Sequence, residues 1–239
     1  MALDWQFLFQ DTGAGETYFD WMIRSWGWTV SIALCSLFVS ISLGIVVGTL
    51  RTLPNSRFWA PLATVWIEVF RNIPLLVQVF LWYMVIPEFI PALKTTPAFY
   101  LMVAALSLFT SSRIAEQVRA GIQSLPRGQT YAAKAMGFTT AQSYRYVILP
   151  MALRVVLPPL TSESMNLVKN SAVAFAVSIG DLTMFAMQAQ EETSRGIELY
   201  LLVTILYAVT AFAINRVLAF IEARSQVPGF IVSTGGGGH

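Results

Sequence analysis

Residues 25–50 contain no Asp, Glu, Lys or Arg. A helix needs about 20 predominantly apolar residues to cross the hydrocarbon core of a bilayer, so this run can cross alone. A soluble fold would have to wrap such a helix in polar residues, and the chain lacks them. Only 12% of its 239 residues are charged, 56% are hydrophobic, and the mean hydropathy is +0.62. Soluble domains carry about a quarter charged residues. The composition excludes a cytosolic enzyme, a disordered chain and a collagen-like fibre. It predicts one polytopic, all-α membrane unit.

Four more segments read as spans: residues 59–85, 97–122, 155–187 and 199–220. The second carries Glu68, Arg71 and Pro74. The fourth is too long for one straight crossing and contains Pro158, Pro159, Glu163, Lys169, Gly180 and Asp181, so a broken helix, or a helix with an extra membrane-facing turn, is expected there. Lys and Arg favour the cytoplasmic side of short loops. With the N-terminus outside, Arg51, Arg57, Arg127, Lys134, Arg145, Arg154, Arg216 and Arg224 fall inside, against Arg24, Lys94 and Arg195 outside. The expected organisation is a periplasmic segment (1–24), a five-span unit (25–222) and a cytoplasmic tail (223–239) ending in the glycine run 235–238. Residues 1–20 hold Asp4, Asp11, Glu16 and Asp20 but no Lys or Arg, which does not resemble a cleaved signal. Trp5, Trp21, Trp26 and Trp28 fit an interfacial aromatic belt. Net charge is +2, with no pattern that suggests a nucleic-acid partner. The single cysteine, Cys35, allows no internal disulfide, and the single histidine is His239. A histidine metal site, a catalytic triad and a histidine pH switch have no support, and no catalytic or metal-ligating residue is expected.

The loop between the third and fourth spans is itself structured. Ser124 with Pro126 reads as a helix start, and 129–136 is good helix sequence. Gly137 sits where a left-handed C-cap is needed, with Phe138 folding back on Ala133. Thr139 with Gln142 reads as a capping box opening a second helix, which Pro150 would end or kink. The small Ala132, Ala133 and Ala135 let another surface approach closely. The loop is either a docking element or simply packed on its own bundle.

Charges at membrane depth are costly and are usually paired or functional. Arg113, Glu116 and Arg119 share a helix face at i, i+3, i+6, as Glu68 and Arg71 do at i, i+3. Pairing near the interface accounts for these. The fourth span concentrates Glu163, Asn166, Lys169, Asn170 and Ser171 near mid-membrane. Polar groups on a broken helix can line a transport pathway or bond between helices. The pathway candidates are Lys169, Asn166, Asn170, Ser171 and Glu163, with Arg113 the next basic group. No P-loop, G-x-S-x-G or H-E-x-x-H motif is present.

The stretch Pro126-Arg-Gly-Gln-Thr-Tyr-Ala-Ala-Lys-Ala-Met-Gly-Phe138, followed by Val147-Ile-Leu-Pro150, resembles the EAA loop of ABC importer permeases. Ala132, Ala133, Gly137, Ile148 and Pro150 match it, and Tyr131 replaces the usual Glu. Glu68-Val-Phe-Arg-Asn-Ile-Pro-Leu-Leu-Val-Gln78, Ile114-Ala-Glu-Gln-Val-Arg-Ala-Gly-Ile122 and the fourth-span segment resemble polar amino-acid uptake permeases. Arg127-Gly-Gln-Thr-Tyr131, Leu157-Pro-Pro-Leu-Thr-Ser-Glu163 and Val227-Pro-Gly229-Phe look most like the glutamate/aspartate branch. The resemblance implies a type I ABC importer permease in a bacterial inner membrane, moving an amino acid delivered by a periplasmic binding protein. It implies a second, similar permease subunit and an ATPase dimer, which would hold the ATP and Mg; this chain would bind no cofactor. Gln129, Tyr131, Ala132, Ala133, Met136 and Gly137 would then be the coupling residues. The alternative is a secondary transporter driven by an ion gradient; such folds often carry inverted repeats, and an odd count of five spans shows none.

Overall fold

The computed structural model describes residues 4–54 and 56–225. The glycine run and Val227-Pro-Gly229-Phe lie outside the described residues. Among those described there is no strand, only an isolated antiparallel bridge between Asp11 and Thr17.

Helix α1 (Tyr18–Thr52) begins well before the charge-free run, because Thr17 and Asp20 form a capping box that satisfies its first orphan N–H groups. Ahead of it, a 3-10 turn (Gln6–Phe9) is clamped to the opposite end of the sequence. Asp4 pairs with Arg195 at 2.7 Å, the Arg195 guanidinium lies 5.4 Å over the Phe7 ring, and the Tyr18 hydroxyl donates to Glu192 at 2.8 Å. The Gln6 N–H, and then Arg195, hold the Asp4 carboxyl below its usual range. The tryptophans only partly form the expected belt. Trp5 and Trp28 are exposed, but Trp26 donates its indole N–H to Thr210 at 2.8 Å and Trp21 packs edge-on against Phe185.

The second span is two helices, α2 (Trp59–Asn72) and α3 (Leu75–Phe89), bent by 105° at Ile73–Pro74. Pro74 cannot donate to the preceding turn. The carbonyls this leaves free are taken by one side chain: Gln78 Nε2 donates to Phe70 O at 2.8 Å and Ile73 O at 2.9 Å.

Helix α4 (Ala98–Gln123) follows the expected third span and packs along α1. A Cβ on Gly44 would lie 2.5 Å from Ile114, and one on Gly48 would lie 2.5 Å from the Ala115 carbonyl. Small residues spaced by four let helix backbones approach where lipid supplies no hydrophobic drive. Ser40 and Ser107 add hydroxyl-to-carbonyl bonds across the same seam.

Two short helices and two long ones follow. Helix α5 (Arg127–Ala135) precedes α6, a continuous helical stretch over Thr140–Val177. The second loop helix therefore does not end at Pro150. A π turn at Tyr144–Ile148 carries it past the proline into the membrane. Pro158 and Pro159 also sit inside the helix without breaking it. The fourth span breaks later, at left-handed Ser178 (φ 58°), after which α7 (Leu182–Thr193) leaves at 53°. Helix α8 (Gly196–Ser225) closes the bundle. Among the described residues three helices are long and apolar enough to cross alone, or up to five spans if each bent pair counts as one.

Candidate functional site

The polar face of α6 divides into two sets. Glu163, Ser164 and Ser171 turn inward and are buried. Glu163 accepts from Arg113 Nε at 2.6 Å, and the Ser171 hydroxyl donates to Val168 O at 2.7 Å. These two pathway candidates are therefore engaged within the bundle. Ser162, Asn166 and Lys169 face the other way, at i, i+4 and i+7 on one stripe. Lys169 is exposed, borders a groove of about 700 Å³ with Met165, Tyr207 and Phe212, and has no carboxylate partner among the described residues. Asn170 is half-buried beside it. Asp181, which could have neutralised Lys169, instead caps α7: it accepts from the Met184 N–H at 2.9 Å and the Tyr207 hydroxyl at 3.0 Å. Among the described residues no cluster of three or more His, Cys, Asp and Glu could hold a metal ion.

The charged ends are ordered by ion pairs between helices. Glu116 binds both Arg119 and Arg51, so the α4 charges are tied to the last turn of α1. Arg113 does not share Glu116, because Glu163 already neutralises it. Arg71, Arg113, Glu116 and Glu163 line a further cavity of about 330 Å³. Arg51, Thr52 and the α5 loop lie at one end of the bundle, with Asp4, Arg195, Glu88 and Lys94 at the other. This is the same partition the basic residues draw in the sequence.

The loop element forms as a rigid unit. Ser124 closes α4, its hydroxyl donating to Gly121 O, and α5 instead starts at Pro126 with no side-chain cap. Gly137 adopts φ +84°, with Phe138 N–H to Ala133 O at 3.1 Å and Gly137 N–H to Lys134 O at 2.9 Å. These are the two bonds of a Schellman motif. Thr139 and Gln142 cap each other as the sequence predicts. Ala133 is wholly buried against the bundle and Gln129 half-buried. Tyr131, Ala132 and Met136 are exposed, Tyr131 and Met136 each by 65%. The exposed face of α5 thus carries Tyr131, Ala132, Ala135 and Met136, while Ala133 and Gln129 turn toward the bundle.

Sequence reasoning quoted Gln78 only within a motif and passed over Tyr207, Gly44 and Gly48. The spacing Gly44-x-x-x-Gly48 was the available signal for the last two.

A bundle of membrane-length helices with a polar stripe on α6 and an outward-facing helix at one end fits a membrane transport subunit. Comparison with known proteins names the lineage. The chain belongs to the binding-protein-dependent transport system inner membrane component family, whose model matches residues 40–227. It is 41% identical, over 96% of its length and 98% of the relative's, to the glutamate/aspartate import permease protein GltJ of Escherichia coli (strain K12). It is 37% identical, over 82% of its length and 87% of the relative's, to the probable glutamine ABC transporter permease protein GlnM of Bacillus subtilis (strain 168). A crystal structure of an amino acid ABC transporter with histidines superposes with a TM-score of 0.75 at 31% identity, covering 87% of this chain and 95% of that one. The chain thus has the type I ABC permease fold and is a transport component of an inner membrane.

Proposed function

We propose that this chain is a permease subunit of an ATP-driven amino-acid importer that takes glutamate or aspartate. The near-full-length likeness to GltJ carries the reading. In it, the chain pairs with a second, similar permease. The relatives include GltK of Escherichia coli (30% identical), which bears the same glutamate/aspartate import permease description as GltJ. An ATPase dimer binding ATP and Mg docks on the exposed face of α5, and a periplasmic binding protein delivers substrate to the opposite end. In this reading the N-terminus is periplasmic and the described end of α8 cytoplasmic, the orientation the basic asymmetry favours.

The substrate path runs along the α6 stripe. An anionic amino acid leaving water needs a compensating cation or donors. Lys169 is the mid-depth cation without a carboxylate partner among the described residues, and Asn166 and Ser162 extend its stripe. Binding and helix movement do the work, and no substrate bond is made or broken.

The test is uptake by the assembled complex, with its binding protein, in sealed vesicles. Labelled glutamate or aspartate should accumulate only with ATP, and excess unlabelled glutamine should compete poorly. Accumulation driven by an ion gradient without ATP would make the chain a secondary transporter. Reporter fusions after Arg57, Thr140 and Arg224 should read cytoplasmic and those near Thr95 and Thr193 periplasmic. The opposite pattern would reverse the orientation.

A further inference from the structure

Between α5 and the bundle lies a cavity of about 530 Å³. Arg51, Arg127 and Lys134 line it, and no Asp or Glu does. Arg51 is neutralised from outside the cavity by Glu116. Arg127 and Lys134 have no ion pair among the described residues. Tyr144 donates its hydroxyl to Thr52 O at 2.6 Å, and Thr52, Gln123, Gln129 and Thr130 are the other neutral polar residues of the lining. Both side chains are exposed, and an anion entering the cavity is attracted to each of them.

We infer that this cavity binds the phosphate of an anionic phospholipid of the inner leaflet, and that the lipid fastens α5 to the ends of α1 and α4. Position and lining both favour a lipid. The floor is the last turn of two spans, Arg51 and Thr52 on α1 with Ile122 and Gln123 on α4, which is headgroup depth. Ile122, Leu125 and Ile148 give the walls an apolar share, suited to a glycerol backbone and the start of an acyl chain. Basic pockets at the cytoplasmic side of membrane helices hold anionic headgroups in this way. The inference rests on the orientation proposed above.

The experiment uses the assembled transporter in vesicles of phosphatidylcholine with increasing phosphatidylglycerol. Wild type should retain phosphatidylglycerol through purification, seen by native mass spectrometry, and its ATP-driven uptake should rise with the phosphatidylglycerol fraction. Arg127→Gln with Lys134→Gln should weaken retention about thirtyfold, the fold-change for two cations facing such lipid, and flatten the rise. Arg127→Lys with Lys134→Arg should keep both. Uptake independent of phosphatidylglycerol in wild type overturns the inference and leaves the import function standing. So does full activation of phosphatidylcholine vesicles by inorganic phosphate, which would make the site one for a free anion. A neutralised pair that still retains the lipid but no longer holds the ATPase assigns the two cations to the ATPase contact, and also overturns it.

Discussion

Arg113 on α4 and Glu163 on α6 meet at 2.6 Å, with the Glu163 side chain 4% exposed and that of Arg113 44% exposed. The carboxylate is inside the bundle and the guanidinium half outside it, so the two ends of one ion pair have different surroundings. Removing one partner of a buried pair costs about 3–5 kcal/mol, and an exposed pair contributes about 0–1. Arg113 can still reach polar surroundings when Glu163 is lost, so Glu163→Ala should cost about 1–3 kcal/mol. Arg113→Met combined with Glu163→Met should recover most of that. Thermal melting of the purified complex measures both. A Glu163→Ala melting point equal to wild type would show that the pair does not hold α4 to α6.

Lys169→Met separates a path role from a packing role. The side chain has no carboxylate partner among the described residues, so its loss removes no ion pair there. The variant should assemble with its ATPase, keep basal hydrolysis, and lose at least tenfold in glutamate or aspartate uptake. Complex yield and uptake from the same preparation decide it. A well-assembled variant with unchanged uptake would remove Lys169 from the path.

Gly137 holds φ +84° in open space, with nothing within 4 Å of a built Cβ. The cost of a side chain there is therefore backbone strain alone, about 1–2 kcal/mol for most residues and least for Asn. Gly137→Val should leave the chain in the membrane but tilt α5 and uncouple hydrolysis from uptake. Gly137→Asn should retain more coupling. The ratio of ATP hydrolysed to substrate imported reads this directly, and a wild-type ratio in the valine variant would show that the Schellman turn does not set the α5 position.

Gly48 is the converse case, ordinary in φ but closely packed. A Cβ there meets the Ala115 carbonyl at 2.5 Å and Val118 Cβ at 2.8 Å, neither the end of a flexible side chain. Gly48→Ala should destabilise by about 1–3 kcal/mol through overpacking. Gly27→Ala, with nothing within 4 Å, should not. Equal melting of the two variants would contradict the close α1–α4 seam.

What was legible in the sequence were features whose cause is local. The loop at Gly137 and Thr139 was readable because a C-cap glycine and a capping box satisfy backbone groups a few residues away. The third span was readable because apolar length alone sets it. Proline misled at three places. Pro150 read as an end or kink and Pro158 and Pro159 as interruptions, yet a π turn and the continuous α6 accommodate them. The break expected in the fourth span does occur, at left-handed Ser178 beside the Gly180 and Asp181 that the sequence marked. Pairings across helices were the least legible. Periodicity put Glu116 and Arg113 on one face, but the choice of Glu163 for Arg113 depends on how α4 and α6 dock.

The Gln78 amide at the Ile73–Pro74 bend has a mechanical meaning. Bends that act as joints leave their carbonyls to exchange partners as the angle changes. Here one buried side chain bonds the carbonyls of both Phe70 and Ile73, so opening the angle would break two hydrogen bonds at once. The second span is therefore a bracket, not a knee: it passes on a push received at either arm without absorbing it. Any alternation in the bundle then pivots elsewhere than at this bend.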